Sequence, residues 1–167
     1  MIEVRVEDLA FYSGNAIIRP ATATLGATTP LLRRLELAGG AKLQEQLRVS
    51  QPLPVGGAVV TGAGDLPVEL LVHAIVSSLT ERVTREGVRR AFRSALEQSN
   101  AWQLAVVAVP PLGLGAGNLE LETSAELMAD ELVRHGRSFD FPRQVTLVAE
   151  TQDEATVLEL YLKRAAA

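Results

Sequence analysis

The chain has 167 residues, 47% apolar and 22% charged, with a net charge of −4, two histidines and no cysteine. That length suits one well-cored domain over residues 1–167, and no uninterrupted apolar run approaches the roughly 18 residues of a membrane span. Disulfides, a thiol nucleophile and sulfur-ligated metal are excluded, two histidines are too few for an ordinary structural zinc site, and no cofactor or metal is expected. The acidic balance argues against general nucleic-acid affinity, and a charged, alternating start in place of a signal peptide makes the cytoplasm the expected compartment.

Residues 2–6 alternate with period two and predict a strand; residues 15–18 predict a second, stopped by Pro20. Residues 30–48 read as a helix interrupted at Gly39-Gly40. Two strands, 57–61 and 68–76, flank the turn formers Gly62, Ala63, Gly64 and Asp65. The run Val59-Val60-Thr61-Gly62-Ala63-Gly64 invites comparison with a dinucleotide fingerprint, but the third glycine position is Pro67 and a strand follows where a helix is needed. A hairpin is the expected structure there.

A long helix is predicted over 79–99. It turns Val88, Ala91, Phe92 and Ala95 inward and Arg89, Arg90 and Arg93 outward as a solvated face, and a left-handed Asn100 closes it. Then come an apolar strand at 104–109, a helix with Ala125, Met128, Ala129 and Leu132 on one face, and a strand at 144–149. A last helix opens at Thr151 with Glu154 as a capping box. His73, inside an apolar strand, is expected in the core with its nitrogens bonded to backbone, and His135 near a helix end is expected to favour that terminus. Continuous apolar strands alternating with amphipathic helices predict a three-layer α/β/α sandwich around a central mixed, largely parallel sheet.

Between the strand at 104–109 and the next helix lies Gly113-Leu114-Gly115-Ala116-Gly117, with no acid, base or cysteine. Such a loop is either a tight connection or a place where peptide N–H groups approach a phosphate that side chains would block. Its place at the carboxyl end of a strand suits a ligand in an α/β sheet.

Val6-Glu7-Asp8-Leu9, residues 15–18, Pro54-Val55-Gly56-Gly57, the stretch 58–62, Leu66-Pro67, Val72-His73, Val109-Pro110 and Gly113-Leu114-Gly115 occur in the order of a macro domain, which the chain resembles over nearly its whole length. The resemblance implies binding of ADP-ribose. It places Asp8 and Leu9 at the adenine, Arg19 and Thr22 near the distal ribose and phosphates, and Gly113, Leu114, Gly115, Ala116 and Gly117 around the pyrophosphate. The plain alternative for Asp8 is a turn cap.

The chain also departs from that pattern. The family's two asparagines after the second strand are Arg19 and Thr22, its first glycine-rich phosphate loop falls near residues 25–30, and its second-loop hydroxyl residue is Leu114. Glu150 stands where an aromatic often lies against the adenine. Arg19 either presents its guanidinium to a phosphate or pairs with a carboxylate and plugs the cleft. The expected function is therefore a non-catalytic module that binds ADP-ribose or a related adenine nucleotide weakly. The alternatives are a hydrolase of ADP-ribosyl conjugates and a ligand-free interaction domain. Homo-oligomerisation stays open.

Overall fold

The computed structural model describes residues 1–167. Its strands are β1 (Ile2–Val6), β2 (Ala16–Thr22), β3 (Ala58–Gly62), β4 (Leu70–Ser77), β5 (Val106–Val109) and β6 (Gln144–Ala149); its helices are α1 (Pro30–Gln46), α2 (Arg85–Ala101), α3 (Leu121–Ser138) and α4 (Gln152–Ala166). The strands form one sheet in the order β1-β6-β5-β2-β4-β3. Every pairing is parallel except that of β3 with β4, which form the expected hairpin. This is the mixed, largely parallel sheet of an α/β/α sandwich. No helix is long and apolar enough to cross a membrane.

Side chains alternate across the strands, so each strand feeds two cores. Ile18, Val72, Val107 and Leu147 pack with Phe92, Leu96, Met128 and Leu158 of α2, α3 and α4. Ile17, Leu71, Ala108 and Val148 pack on the other face, with Leu32, Leu35 and Leu43 of α1 and with Leu9 and Tyr12. Each such side chain, fully buried, contributes about 1.5–3 kcal/mol relative to exposure.

Some boundaries differ from the sequence reading, each for a local reason. β2 runs through Pro20 to Thr22, because its ladder with β5 involves only Ala16 and Ile17; beyond them β2 has a free edge on that side, where proline is tolerated. α2 starts at Arg85 and not at 79, since the Thr84 hydroxyl accepts from Gly87 N and caps it there. Its left-handed terminator is Gln103 (φ +52°), while the Asn100 side chain accepts from Phe141 N at 3.1 Å. Gly40 does break α1 as expected, at φ +70°.

All parallel strands end on one edge of the sheet. The loop after β5, the start of α1 and the start of α4 meet there.

Candidate functional site

The loop after β5 is built from the strand outward. Pro110 and Pro111 follow Val109 and cannot extend the ladder. Leu112 is fully buried and anchored at both polar atoms: its N–H lies 3.3 Å from Met128 Sδ, and its carbonyl accepts from the Ser124 hydroxyl at 2.6 Å. Gly113, Gly115 and Gly117 take φ values of +83°, +134° and +76°, which side chains resist. Leu119 N closes the ring onto the Gly113 carbonyl, and Asn118 N donates to Gly115 O, both at 3.0 Å. The N–H groups of residues 113–117 donate to no other group in the protein. Gly115, Ala116 and Gly117 are exposed, and Gly115 faces the Thr28 carbonyl, which lies 3.4 Å from where a Cβ would stand.

Across from this loop, Thr29 caps α1, its hydroxyl accepting from Leu32 N. The neighbouring Thr28 hydroxyl is buried without a partner. In the sequence, a threonine pair just before Pro30 at a helix start is the signal that a capped, donor-rich terminus lies here.

The turn after β2 is the opposite case. Thr22 N donates to Gly26 O and Leu25 N to Thr22 O, Gly26 N donates to the Thr22 hydroxyl, and Ala23 N donates to Ser77 O. Thr22 is spent on holding this turn.

Arg19 is fully buried, and each of its side-chain nitrogens is engaged. Nε donates to His73 Nδ1 at 2.8 Å, Nη1 to Glu36 Oε1 at 2.9 Å and Nη2 to the Leu25 carbonyl at 2.7 Å. Strand alternation puts Arg19 on the α1 side with Ile17, where Glu36 supplies the opposite charge. Of the two roles the sequence left open for Arg19, the structure shows the pairing with a carboxylate. Leu9 is likewise fully buried, in the core beneath α1.

Since His73 Nδ1 accepts from Arg19, its proton sits on Nε2 and is donated to the Thr61 hydroxyl at 2.8 Å, which in turn donates to the Gly62 carbonyl. Its partners are thus side chains and not the expected backbone groups. Burial, and then the Arg19 charge, hold this imidazole well below its usual 6.5. The native state keeps His73 neutral while the unfolded chain takes up a proton, so the stability present above about pH 6.5 is lost as pH falls below it. Urea unfolding at about pH 7.5 and about pH 5.5 should show a larger loss for the wild type than for His73→Gln. Equal losses would refute the assignment.

The other charged candidates are structural. Arg93 holds the buried Glu131 with two bonds, of 2.9 and 2.7 Å, and Arg89 approaches it at 3.7 Å, so these two arginines staple α2 to α3, while Arg90 stays exposed as expected. His135 Nε2 lies 2.7 Å from the Phe141 carbonyl, and its ring stacks on Phe139.

The candidates do not share one cavity. Leu114 lines a crevice of about 80 Å³ with Pro20, Leu31, Pro111, Glu150 and Glu154. Asp8, exposed and capping its turn by accepting from Ala10 N at 3.0 Å, opens onto a separate hollow of about 390 Å³ beside Phe11 and Arg34. Thr22 borders a third, of about 400 Å³, with Thr24, Ser77, Ser78 and Thr80. Burial, and the charge of Glu150 against the opposing bond from Glu150 N, raise the Glu154 carboxyl above its usual range.

A protein-family model described as Macro domain matches residues 28–128, more than half of the chain. The chain belongs to the macro domain family. This macro domain is similar to an uncharacterized protein of Aeropyrum pernix, 27% identical over 169 residues that span 99% of this chain and 87% of the relative. Among solved structures, a macrodomain of Oceanobacillus iheyensis superposes with a TM-score of 0.85 at 20% identity, covering 99% of this chain and 92% of that one. A Trypanosoma brucei macrodomain, in complex with ADP-ribose, gives 0.84 at 14% identity over 95% of this chain and 68% of that one. At those identities the likeness is one of fold.

Proposed function

We propose that this macro domain binds ADP-ribose or a related adenine nucleotide through its diphosphate, weakly and without turnover. The observation that carries this reading is that the N–H groups of residues 113–117 donate to nothing in the protein, in a loop whose Gly115 lies against Thr28 just before the capped start of α1. Backbone donors in a glycine-rich loop opposite a helix N-terminus suit a diphosphate, because amides crowd around its oxygens and the helix dipole favours its charge. The Trypanosoma brucei macrodomain has been solved with ADP-ribose and with ADP, which supports a nucleotide here. Asp8 keeps an exposed carboxylate at the carboxyl end of β1, where it can accept from an adenine amino group.

Affinity is low because the crevice holds about 80 Å³, against about 300–1,000 Å³ in ordinary ligand sites, so Leu114 must move before a nucleotide seats. Turnover is absent because the hollow at Thr22 presents hydroxyls and no group able to activate water. Calorimetric titration should show ADP within about tenfold of ADP-ribose, about 1.4 kcal/mol, as no asparagine remains for the distal ribose. Free ADP-ribose released from O-acetyl-ADP-ribose above the buffer control would overturn the non-catalytic part. The narrow crevice also favours a second reading, a ligand-free interaction domain; no heat from either nucleotide at millimolar concentration would select it.

A further inference from the structure

The geometry points to Arg19 as the residue that sets the selectivity of this site: by clamping the 22–26 turn shut, it withholds four of that turn's five amides, so the site favours a ligand ending at the diphosphate over one extended by a second sugar. The inference rests on the nucleotide reading above and concerns the regulation of that same site.

Two backbone segments precede or face the start of α1, and they treat their donors in opposite ways. The 113–117 loop gives away none of its N–H groups. In the 22–26 turn the N–H groups of Thr22, Ala23, Leu25 and Gly26 are all donated, three of them within the turn and that of Ala23 to Ser77. The turn closes through Leu25 at φ +63°, a conformation leucine resists, with its side chain buried at 3% exposure. A strained residue persists only where its surroundings hold it.

Arg19 supplies that hold. Its Nη2 donates to the Leu25 carbonyl at 2.7 Å, while His73 and Glu36 fix the other guanidinium nitrogens. The clamp therefore ties β2, β4 and α1 to one carbonyl of the turn. A ligand phosphate lying against the 113–117 amides has the start of α1 opposite it, and whatever extends past it toward the 22–26 turn meets one in which only the Thr24 N–H is undonated.

The test uses Arg19→Met, which keeps most of the bulk and removes every donor. Amide hydrogen exchange at Leu25 and Gly26 should quicken by at least about tenfold while the β2–β4 ladder stays protected. The ratio of ADP-ribose to ADP affinity should rise by at least about threefold. Should Arg19→Met fail to fold, Glu36→Gln loosens the anchor alone and should move both readouts in the same directions by smaller amounts. Unchanged exchange at Leu25 and Gly26 in a folded variant overturns the clamp. An unchanged ratio with ADP still bound overturns the selectivity alone, and a wild type that binds neither nucleotide overturns this inference together with the reading beneath it.

Discussion

Arg19→Ala is expected to cost the domain about 3–5 kcal/mol, the usual penalty for removing one partner of a buried ion pair. The loss exceeds that of one bond because three acceptors are stranded together. His73 Nδ1 lies wholly inside the protein, the Leu25 carbonyl belongs to a strained turn, and the Glu36 side chain is only 14% exposed. Small domains hold only about 5–15 kcal/mol in reserve, so the variant sits near the edge of folding. Arg19→Lys should rescue little, since one ammonium cannot serve three directions fixed for a planar guanidinium. Urea unfolding checks this: a loss under about 1 kcal/mol would mean that the network is dispensable.

Gly115→Val should abolish nucleotide binding, by about a hundredfold or more (about 2.7 kcal/mol), while leaving the fold intact. At φ +134° a β-branched residue is strained, and its Cβ would stand 2.9 Å from Asn118 Nδ2 and 3.4 Å from the Thr28 carbonyl, in the gap a phosphate would enter. Gly115 is exposed, so the stability cost stays local, about 1–3 kcal/mol. Gly113 is the informative contrast. A Cβ there would meet Val88 Cγ2 at 2.8 Å and Leu119 Cδ1 at 3.0 Å, so Gly113→Val should damage packing first. Binding at wild-type affinity by a folded Gly115→Val protein would reduce the loop to a connection.

Much of this structure could be read from spacing because the signals were local. Alternation located β1, continuous apolar runs located the buried strands, and the glycines at 113, 115 and 117 announced a backbone that side chains resist. Thr151 and Glu154 marked the start of α4, although the Glu154 carboxylate accepts from Glu150 N and not from Thr151 N.

What stayed hidden depends on partners distant in sequence. Arg19 lies inside an apolar strand, and Glu36 stands four residues after Leu32 on the apolar stripe that includes Leu35 and Leu43. Each charge is out of place alone; together they signal a buried pair, but only once β2 and α1 are known to pack. The same limit applies to His73, whose partners lie on β2 and β3, and to Asp8. Asp8 precedes a turn as expected, yet it opens onto a different hollow from Leu114. Residue spacing carries no information about which side of α1 a hollow faces.

Amide chemical-shift mapping during an ADP titration tests most directly whether the amides of residues 113–117 hold a diphosphate. The predicted result is saturable shifts concentrated at residues 113–117 and at Thr28 and Thr29, with the amides of Leu25 and Gly26 little changed. Saturable shifts centred elsewhere, or no shifts at millimolar ADP, would contradict the account.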